Sequence, residues 1–258
     1  GLFLPLVSTP LEPSTPQGWL LKARDHEERS ELDAAADCFR KALQLDPACA
    51  PARAGLAQWH LKRGELGAAK DWANKALRAD LQSEDALWWL AVATFLEGGE
   101  PLTQLSALRR STRYASNAFA LLGEMALRRG DADAALGLLD AASERNGSDL
   151  GIVALAALAE RRAGADDNAR ALLNECEKDA PFEPLLWGEA HFLAGGSEAR
   201  VEAGIGGVLG SDPQAYLEVT CDYERVGAWA SAAAWLRDVA VRRADPARQA
   251  MLLYHEAM

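Results

Sequence analysis

Three sets of residues recur along this chain with one shared, irregular spacing, and this spacing is the strongest constraint on its fold. The first set is an alanine series with one threonine: Ala35, Ala69, Thr103, Ala135, Ala169 and Ala232. The second set is a turn series: Ser30, Gly64, Gly98, Gly130, Gly164 and Gly227. The third set is a series of small residues: Ala23, Ala57, Ala91, Gly123, Ala157 and Thr220. Every set advances in steps of 34, 34, 32, 34 and 63 residues. A repeat of this length predicts a solenoid of stacked supersecondary units.

Each repeat is predicted to be a pair of helices. In the stretch ELDAAADCFRKALQLDP, Ala35, Phe39 and Ala42 fall three and four residues apart and therefore share one helical face. Pro47 cannot continue that helix. The turn residue between the helices is usually glycine, which takes the left-handed conformation without steric cost. The small residue of the first helix allows its partner helix to approach closely.

This pattern resembles the tetratricopeptide repeat. The resemblance rests on the period, on Trp19 near the start of the first helix, and on the run of Ala35, Phe39 and Ala42 before Pro47. It implies an all-α fold, a right-handed superhelix of about seven helix-turn-helix repeats over residues 16–246. Residues 1–15 contain three prolines and are expected to be an extended linker or the tail of a preceding domain. Residues 247–258 are expected to form a capping helix or a truncated eighth repeat.

A narrower resemblance lies near the end of the chain. The short sixth repeat, the stretch SDPQAYLEV and the final LLYHEAM resemble the C-terminal repeat region of a bacterial family of unknown function. In that family a carbohydrate-associated β-sandwich region precedes the repeats. The resemblance implies an alternative function, an accessory domain of a larger carbohydrate-active enzyme whose active site lies on another domain.

The composition and motifs exclude several other classes of function. The net charge of −11 argues against binding of nucleic acid or of an anionic membrane, and no apolar run has the length of a membrane span. His26 and His60 occupy equivalent slots 34 residues apart, but no further ligand completes a metal site, so packed or half-exposed histidines are expected. No catalytic motif is present. We therefore expect a non-enzyme without a cofactor or metal, located in the cytoplasm.

The resemblance implies that the first helix of each repeat lines a concave groove that binds a peptide or a partner surface. An aromatic anchor beside arginines would suit a peptide. The inward positions that we predict to form this groove are Arg24, Gln58, Lys62, Trp88, Phe95, Glu124, Arg128, Arg161, Arg162 and Phe192. Two readings stay open for Trp88 and the arginines, which either contact a ligand or serve packing and local ion pairs.

The partner is expected to be a protein or peptide. The family's clamp for chaperone carboxylate tails uses Lys and Asn at fixed inward slots. Those slots hold Leu20, Arg24, Ala54 and Gln58 here, which argues against that ligand. Self-association through the C-terminal helix is a further possibility that the sequence leaves open.

Overall fold

The computed structural model describes residues 12–147, 149–176, 184–194 and 213–237, and within these ranges it contains thirteen α-helices and no strand. The predicted all-α fold class is therefore confirmed. Three predicted segments lie outside the described residues: most of the extended start, the second helix of repeat six, and the helix at residues 247–258.

The helices fall into two compact units, residues 1–114 and residues 115–258. The first unit contains three antiparallel pairs: α1 (Pro16–Glu28), α2 (Leu32–Leu45), α3 (Ala50–Lys62), α4 (Leu66–Ala79), α5 (Glu84–Leu96) and the short α6 (Leu102–Leu108).

The second unit continues the pairwise order. Its helices are α7 (Ala115–Arg128), α8 (Ala132–Ser143), α9 (Leu150–Arg162), α10 (Asp166–Cys176), α11 (Pro184–Leu193), α12 (Pro213–Arg225) and α13 (Trp229–Trp235). Helix α11 is the first helix of repeat six, and α12 and α13 form repeat seven.

The residues of the turn series are those that have a positive backbone φ angle in the described part of the structure. Ser30 has a φ of 60°, and the five glycines of the series have φ values between 68° and 86°. Each of these residues follows the first helix of a pair and reverses the chain into the second helix. The turn positions were therefore predictable one by one.

The small-residue series marks the closest approach of the paired helices. Ala23, Ala57 and Ala91 are fully buried. At Gly123, an added Cβ would lie 2.9 Å from two carbon atoms of Leu139, the large residue of the partner helix α8. The helices can be this close only because no larger side chain lies between them.

One slot of the alanine series behaves differently. Thr103 is exposed, whereas its counterparts Ala35 and Ala69 are buried. Helix α6 has only seven residues, and Leu105 and Leu108 supply its buried contacts. The shorter 32-residue step thus coincides with a pair whose second helix packs in another register.

Helix starts follow ordinary capping chemistry. Thr15 accepts a hydrogen bond from the backbone N–H of Gly18 at 3.1 Å, and Pro16 occupies the first helical position of α1. Asp149 caps α9 by accepting from the N–H of Gly151 at 3.0 Å. Among the helices described, none combines the length and the apolar character needed to span a bilayer.

Ser30 is the one member of the turn series that has a side chain, and this predicts a stabilising substitution. A left-handed conformation costs a non-glycine residue about 1–2 kcal/mol, partly offset because glycine is more flexible in the unfolded chain. We expect Ser30→Gly to raise the free energy of unfolding by about 0.5–1 kcal/mol in urea denaturation. Gly64→Ser, at the equivalent turn with a φ of 74°, is the reciprocal control and should lower it by a similar amount. Equal stability of all three proteins would contradict the strain at Ser30.

Candidate functional site

A cavity of about 190 Å³ opens between the first helices of the first unit. Its wall combines apolar, aromatic and charged side chains from α1, α2, α3, α5 and the segment after α6. The lining residues are Leu20, Arg24, Glu27, Phe39, Pro51, Gly55, Gln58, Asp85, Trp89, Arg113 and Tyr114. Two predicted groove residues, Arg24 and Gln58, are among them.

A glycine in the middle of α3 shapes the floor of this cavity. An added Cβ at Gly55 would lie 2.3 Å from two carbon atoms of the Phe39 ring, well inside van der Waals contact. The ring of Phe39, which belongs to α2, therefore reaches under α3 and contributes to the floor of the cavity. Glycine costs a helix about 0.5–1 kcal/mol relative to alanine, and here that cost allows an aromatic floor.

An aromatic and charged cluster forms one wall. The rings of Trp88 and Tyr114 stack with centroids 5.5 Å apart and planes inclined by 17°. The hydroxyl of Tyr114 donates to Asp85 Oδ1 at 2.5 Å, and Arg113 Nη1 donates to the same oxygen at 2.6 Å. Burial, with the hydrogen bond to Asp85, raises the pKa of Tyr114 above its ordinary value. Trp88 is thus held at the edge of the site by stacking, while its neighbour Trp89 lines the cavity.

Three of the predicted polar side chains of the first unit are not engaged by their own chain. Within the described residues, Arg24, Gln58 and Lys62 form no hydrogen bond or ion pair with the rest of the protein. Glu27 is half-buried among them, and its burial raises the pKa of its carboxyl while the charge of Lys62 opposes that shift. The cavity wall therefore combines the Arg24 guanidinium, the Gln58 amide and the half-buried Glu27 carboxylate with the Phe39 ring, and the charge of Lys62 acts on Glu27.

Phe95 does not line this cavity. Its side chain is 2% exposed and belongs to the buried core, so it supplies packing rather than a surface for a ligand. The seven-residue spacing placed Trp88 and Phe95 on one face of α5, but it did not distinguish the wall of a site from the core.

The predicted inward residues of the second unit contact their own chain. Arg128, at the end of α7, donates from Nε and Nη2 to the carbonyl oxygen of Arg225 at 3.1 and 2.9 Å. The turn after α12 comes so close that a Cβ on Gly227 would be 3.2 Å from the backbone of Arg128. Arg162 of α9 donates from Nη1 to the carbonyl of Leu127 at 3.0 Å and to that of Val226 at 3.4 Å.

These two arginines stabilise the C-terminal end of α12. The last carbonyl groups of a helix have no partner within the helix, and they carry the negative end of its dipole. Glu124 of α7 adds an ion pair: Arg225 Nε lies 3.2 Å from Glu124 Oε2, in a geometry that is not that of a hydrogen bond. Burial raises the pKa of Glu124, and the charge of Arg225 opposes this shift.

Arg161 and Phe192 belong to a buried network in the same unit. Arg161 pairs with both carboxylate oxygens of Glu189, at 2.6 and 2.8 Å, and also donates to Ser231 at 3.0 Å. The hydroxyl of Tyr223 donates to Glu189 at 2.9 Å. The Arg161 guanidinium lies 4.8 Å from the centre of the Phe192 ring. A fully buried carboxylate such as Glu189 requires partners of this kind.

The ten predicted groove residues are thus divided between two environments. Arg24, Gln58 and Lys62 are available in the first unit, with Trp88 at the margin and Phe95 in the core. Glu124, Arg128, Arg161, Arg162 and Phe192 contact elements of their own unit. The sequence reasoning missed Glu27, Trp89 and Tyr114 as site residues. Gly55 was an available signal, since a glycine inside a helical pattern often marks a close approach.

The two equivalent histidines bind carboxylates. His26 Nδ1 lies 2.5 Å from Glu31, and His60 Nδ1 lies 2.6 Å from Glu65, so repeats one and two have the same pair at the turn between their helices. No group of three or more potential metal ligands occurs in the described part of the chain.

Comparisons with known proteins agree with this architecture. Residues 28–94 match the family model described as tetratricopeptide repeat. A solved structure of Pseudomonas aeruginosa pilF is similar over 80% of this chain and 97% of its own, with a TM-score of 0.67 and 18% identity. A tetratricopeptide repeat protein from Parabacteroides merdae is similar over 94% of this chain and 99% of its own, with a TM-score of 0.61 and 16% identity.

A third similar structure is the Cut9–Hcn1 hetero-tetramer of the APC/C, which covers 95% of this chain and 43% of its own, with a TM-score of 0.58 and 16% identity. No curated protein matches the sequence. At these identities the structural likenesses show the fold alone. The family-model match over residues 28–94 confirms the tetratricopeptide-repeat resemblance in that part of the chain.

The floor of the cavity can be tested through Gly55. We expect Gly55→Ala to lower the free energy of unfolding by about 1–3 kcal/mol, because the new Cβ overlaps the Phe39 ring and must displace it. Gly137→Ala is the matched control, since that glycine also lies inside a helix but has open space around it. The control should be neutral or slightly stabilising. Urea denaturation of both variants is the measurement, and a stabilised Gly55→Ala protein would contradict the proposed contact.

The raised pKa of Glu27 predicts a pH dependence. The pKa of Glu27 is higher in the folded protein than in the unfolded chain. Its carboxyl therefore contributes most to the stability of the fold below the unfolded pKa, and this contribution is lost as the pH rises through the folded pKa. We expect Glu27→Gln to remove this loss, so that the variant gains stability relative to the wild type between pH 4 and pH 7. Thermal unfolding over this pH range is the measurement, with Glu28→Gln, an exposed neighbour, as the control for lost surface charge. A difference that shrinks as the pH rises would contradict the expected sign.

Proposed function

Because the chain carries tetratricopeptide repeats, we propose that it is a non-catalytic scaffold that holds an extended segment of a partner protein in the cavity between α1, α3 and α5. The single observation that carries this proposal is the state of Arg24, Gln58 and Lys62. Arg24 and Gln58 line the cavity, and the charge of Lys62 acts on Glu27 in its wall. Their side chains form no hydrogen bond or ion pair within the described residues, whereas the equivalent polar residues of the second unit are engaged by their own chain.

The chemistry of the cavity indicates what the segment contains. The Phe39 ring, Pro51 and Trp89 offer an apolar surface for one side chain of the partner. Arg24 lines the same cavity, and Lys62 lies close enough to its Glu27 for their charges to interact. Both cations can donate charge-assisted hydrogen bonds to an acidic side chain or to backbone carbonyls. An apolar anchor next to such donors is the usual composition of an energetically important contact.

The charge of the two units differs, and this favours the first unit for an acidic partner. The first unit carries 14 Lys and Arg against 15 Asp and Glu, and the second carries 13 against 23. An acidic segment would therefore be repelled by the second unit and tolerated by the first. The same acidity supports a protein partner rather than a nucleic acid.

The comparisons support a binding role in general terms. The Cut9 neighbour is part of an assembly with Hcn1. The alternative of an accessory domain in a carbohydrate-active enzyme stays a prediction, because no described residue bears on it. The cytoplasmic location and self-association through residues 247–258 also stay predictions.

A random-peptide selection against the full chain, followed by binding titrations, tests the proposed function. We expect selected peptides to bind with a change in tryptophan fluorescence, because Trp88 and Trp89 lie at the site. Charge reversal by Arg24→Glu with Lys62→Glu should weaken binding at least tenfold, since it replaces two donors by two repelling charges.

Arg78→Glu is the matched control, because Arg78 is an exposed cation on α4 that does not line the cavity. It should leave the affinity within twofold of the wild type. Peptides that bind the double variant as well as the wild type would show that the cavity is not the binding site.

A further inference from the structure

A second cavity lies within the second unit, on helices that the proposed peptide site does not use. Its volume is about 260 Å³, and it is bounded by α8, α9 and α10. Helices α8 and α10 both pack on α9, which forms the floor of a slot between them. The apolar residues of this slot are Leu136, Leu139, Ile152, Val153, Ala156 and Leu172.

The slot leaves apolar surface uncovered. Leu139 and Ile152 are buried at 1% and 4% exposure, but Leu136, Val153 and Leu172 remain partly exposed above them. These three side chains form a small apolar surface at the opening of the cavity.

Repeat two has polar or aromatic residues at the two positions that correspond to Leu136 and Leu172. The position of Leu136 is taken there by Lys70, which forms an ion pair with Glu97 at 2.6 Å. The position of Leu172 is taken by Trp72, and the ammonium of Lys75 lies 4.3 Å from the centre of the Trp72 ring. The repeat pattern therefore does not require leucine at these two positions.

The rim of the slot is acidic. Asp140 of α8 and Glu160 of α9 are its charged members, and no Lys or Arg is among the residues that line it. Asp140 has no ion pair within the described ranges, and Glu160 accepts only a hydrogen bond from Asn168, at 3.2 Å. The second unit as a whole carries ten more acidic than basic residues.

We propose that this slot docks the apolar face of an amphipathic helix whose flanking residues are Lys or Arg. The volume is below the 300–1,000 Å³ that is typical of small-molecule pockets, and it suits one or two aliphatic side chains. A slot between two helices with an apolar floor matches the helix-in-groove mode of recognition. The acidic rim supplies complementary charge for a basic helix and repels an acidic one. This surface is separate from the peptide site of the first unit and does not depend on it.

The chain offers a direct spectroscopic reporter for this surface. Its sequence contains only two isoleucines, Ile152 and Ile205, so the Ile152 methyl signal can be assigned with a single Ile152→Val variant. The probe is a synthetic 18-residue peptide with leucines at positions i, i+4 and i+7 on an alanine helix and lysines on the flanks. We expect this peptide to shift the Ile152 methyl signal of the full chain in a saturable way.

Two matched peptides and two protein variants define the specificity. Replacement of the peptide lysines by glutamates, or of its leucines by alanines, should each weaken binding at least tenfold. Asp140→Lys with Glu160→Lys should weaken binding of the lysine peptide at least tenfold and improve that of the glutamate peptide. Asp133→Lys, an exposed acid on α8 outside the slot, should change neither affinity by more than twofold.

The proposal is overturned if the lysine and glutamate peptides bind alike, if Asp133→Lys acts as strongly as the rim variant, or if the Ile152 signal does not move. It is also overturned if light scattering shows that a second copy of the chain occupies the slot, seen as a dimer that Ala156→Arg converts to a monomer. Circular dichroism of each variant must match the wild type, and Ile152→Val serves as the folded reference.

Discussion

The close approach of two helices at a small residue is the interaction on which every repeat depends. Ala23, Ala57 and Ala91 have no exposed surface, and at Gly123 even one added carbon would overlap Leu139. Close contact of this kind fixes the crossing of each pair, and the left-handed turn residue that follows returns the chain into the second helix. Because each pair buries its apolar face against the next, the pairs gain stability as an array rather than singly.

The two units use the same helix pairs in different ways. In the first unit, the polar side chains of the first helices surround an open cavity. In the second, Arg128 and Arg162 are bound to carbonyl groups at the end of α12, and Arg161 is bound to the buried Glu189. An arginine at an inward position therefore has no fixed role, since it binds whichever oxygen lies closest, from a partner or from its own chain.

The sequence predicted the fold well because each repeat depends on local steric requirements that only certain residues meet. Positive φ angles need glycine, close approach needs a small residue, and both are visible in a single chain. The site was predicted only in part. Arg24 and Gln58 lie at the cavity, but the contact of Arg128 with Arg225 joins residues 97 positions apart. That separation follows from the geometry of repeat seven and from no local pattern.

The sequence also did not indicate which of two neighbouring tryptophans lines the cavity. Trp88 and Trp89 are adjacent and chemically identical, yet one stacks on Tyr114 and the other lines the cavity. The deciding feature is Tyr114, which comes from the irregular end of repeat three, where the alanine series also loses its register at Thr103. Sequence periodicity carries information only where the period holds.

The cavity beside Gly55 and Phe39 limits the length of a segment that could bind across the first helices. Neighbouring packed helices lie about 8–10 Å apart, so the width from α1 across α3 to α5 is roughly 16–20 Å. An extended polypeptide advances about 3.3 Å per residue, and this width therefore accommodates about five or six amino acids. The aromatic floor lies beneath the middle helix, so the residues in the middle of such a segment would carry the selectivity, and its outer residues would tolerate wide variation.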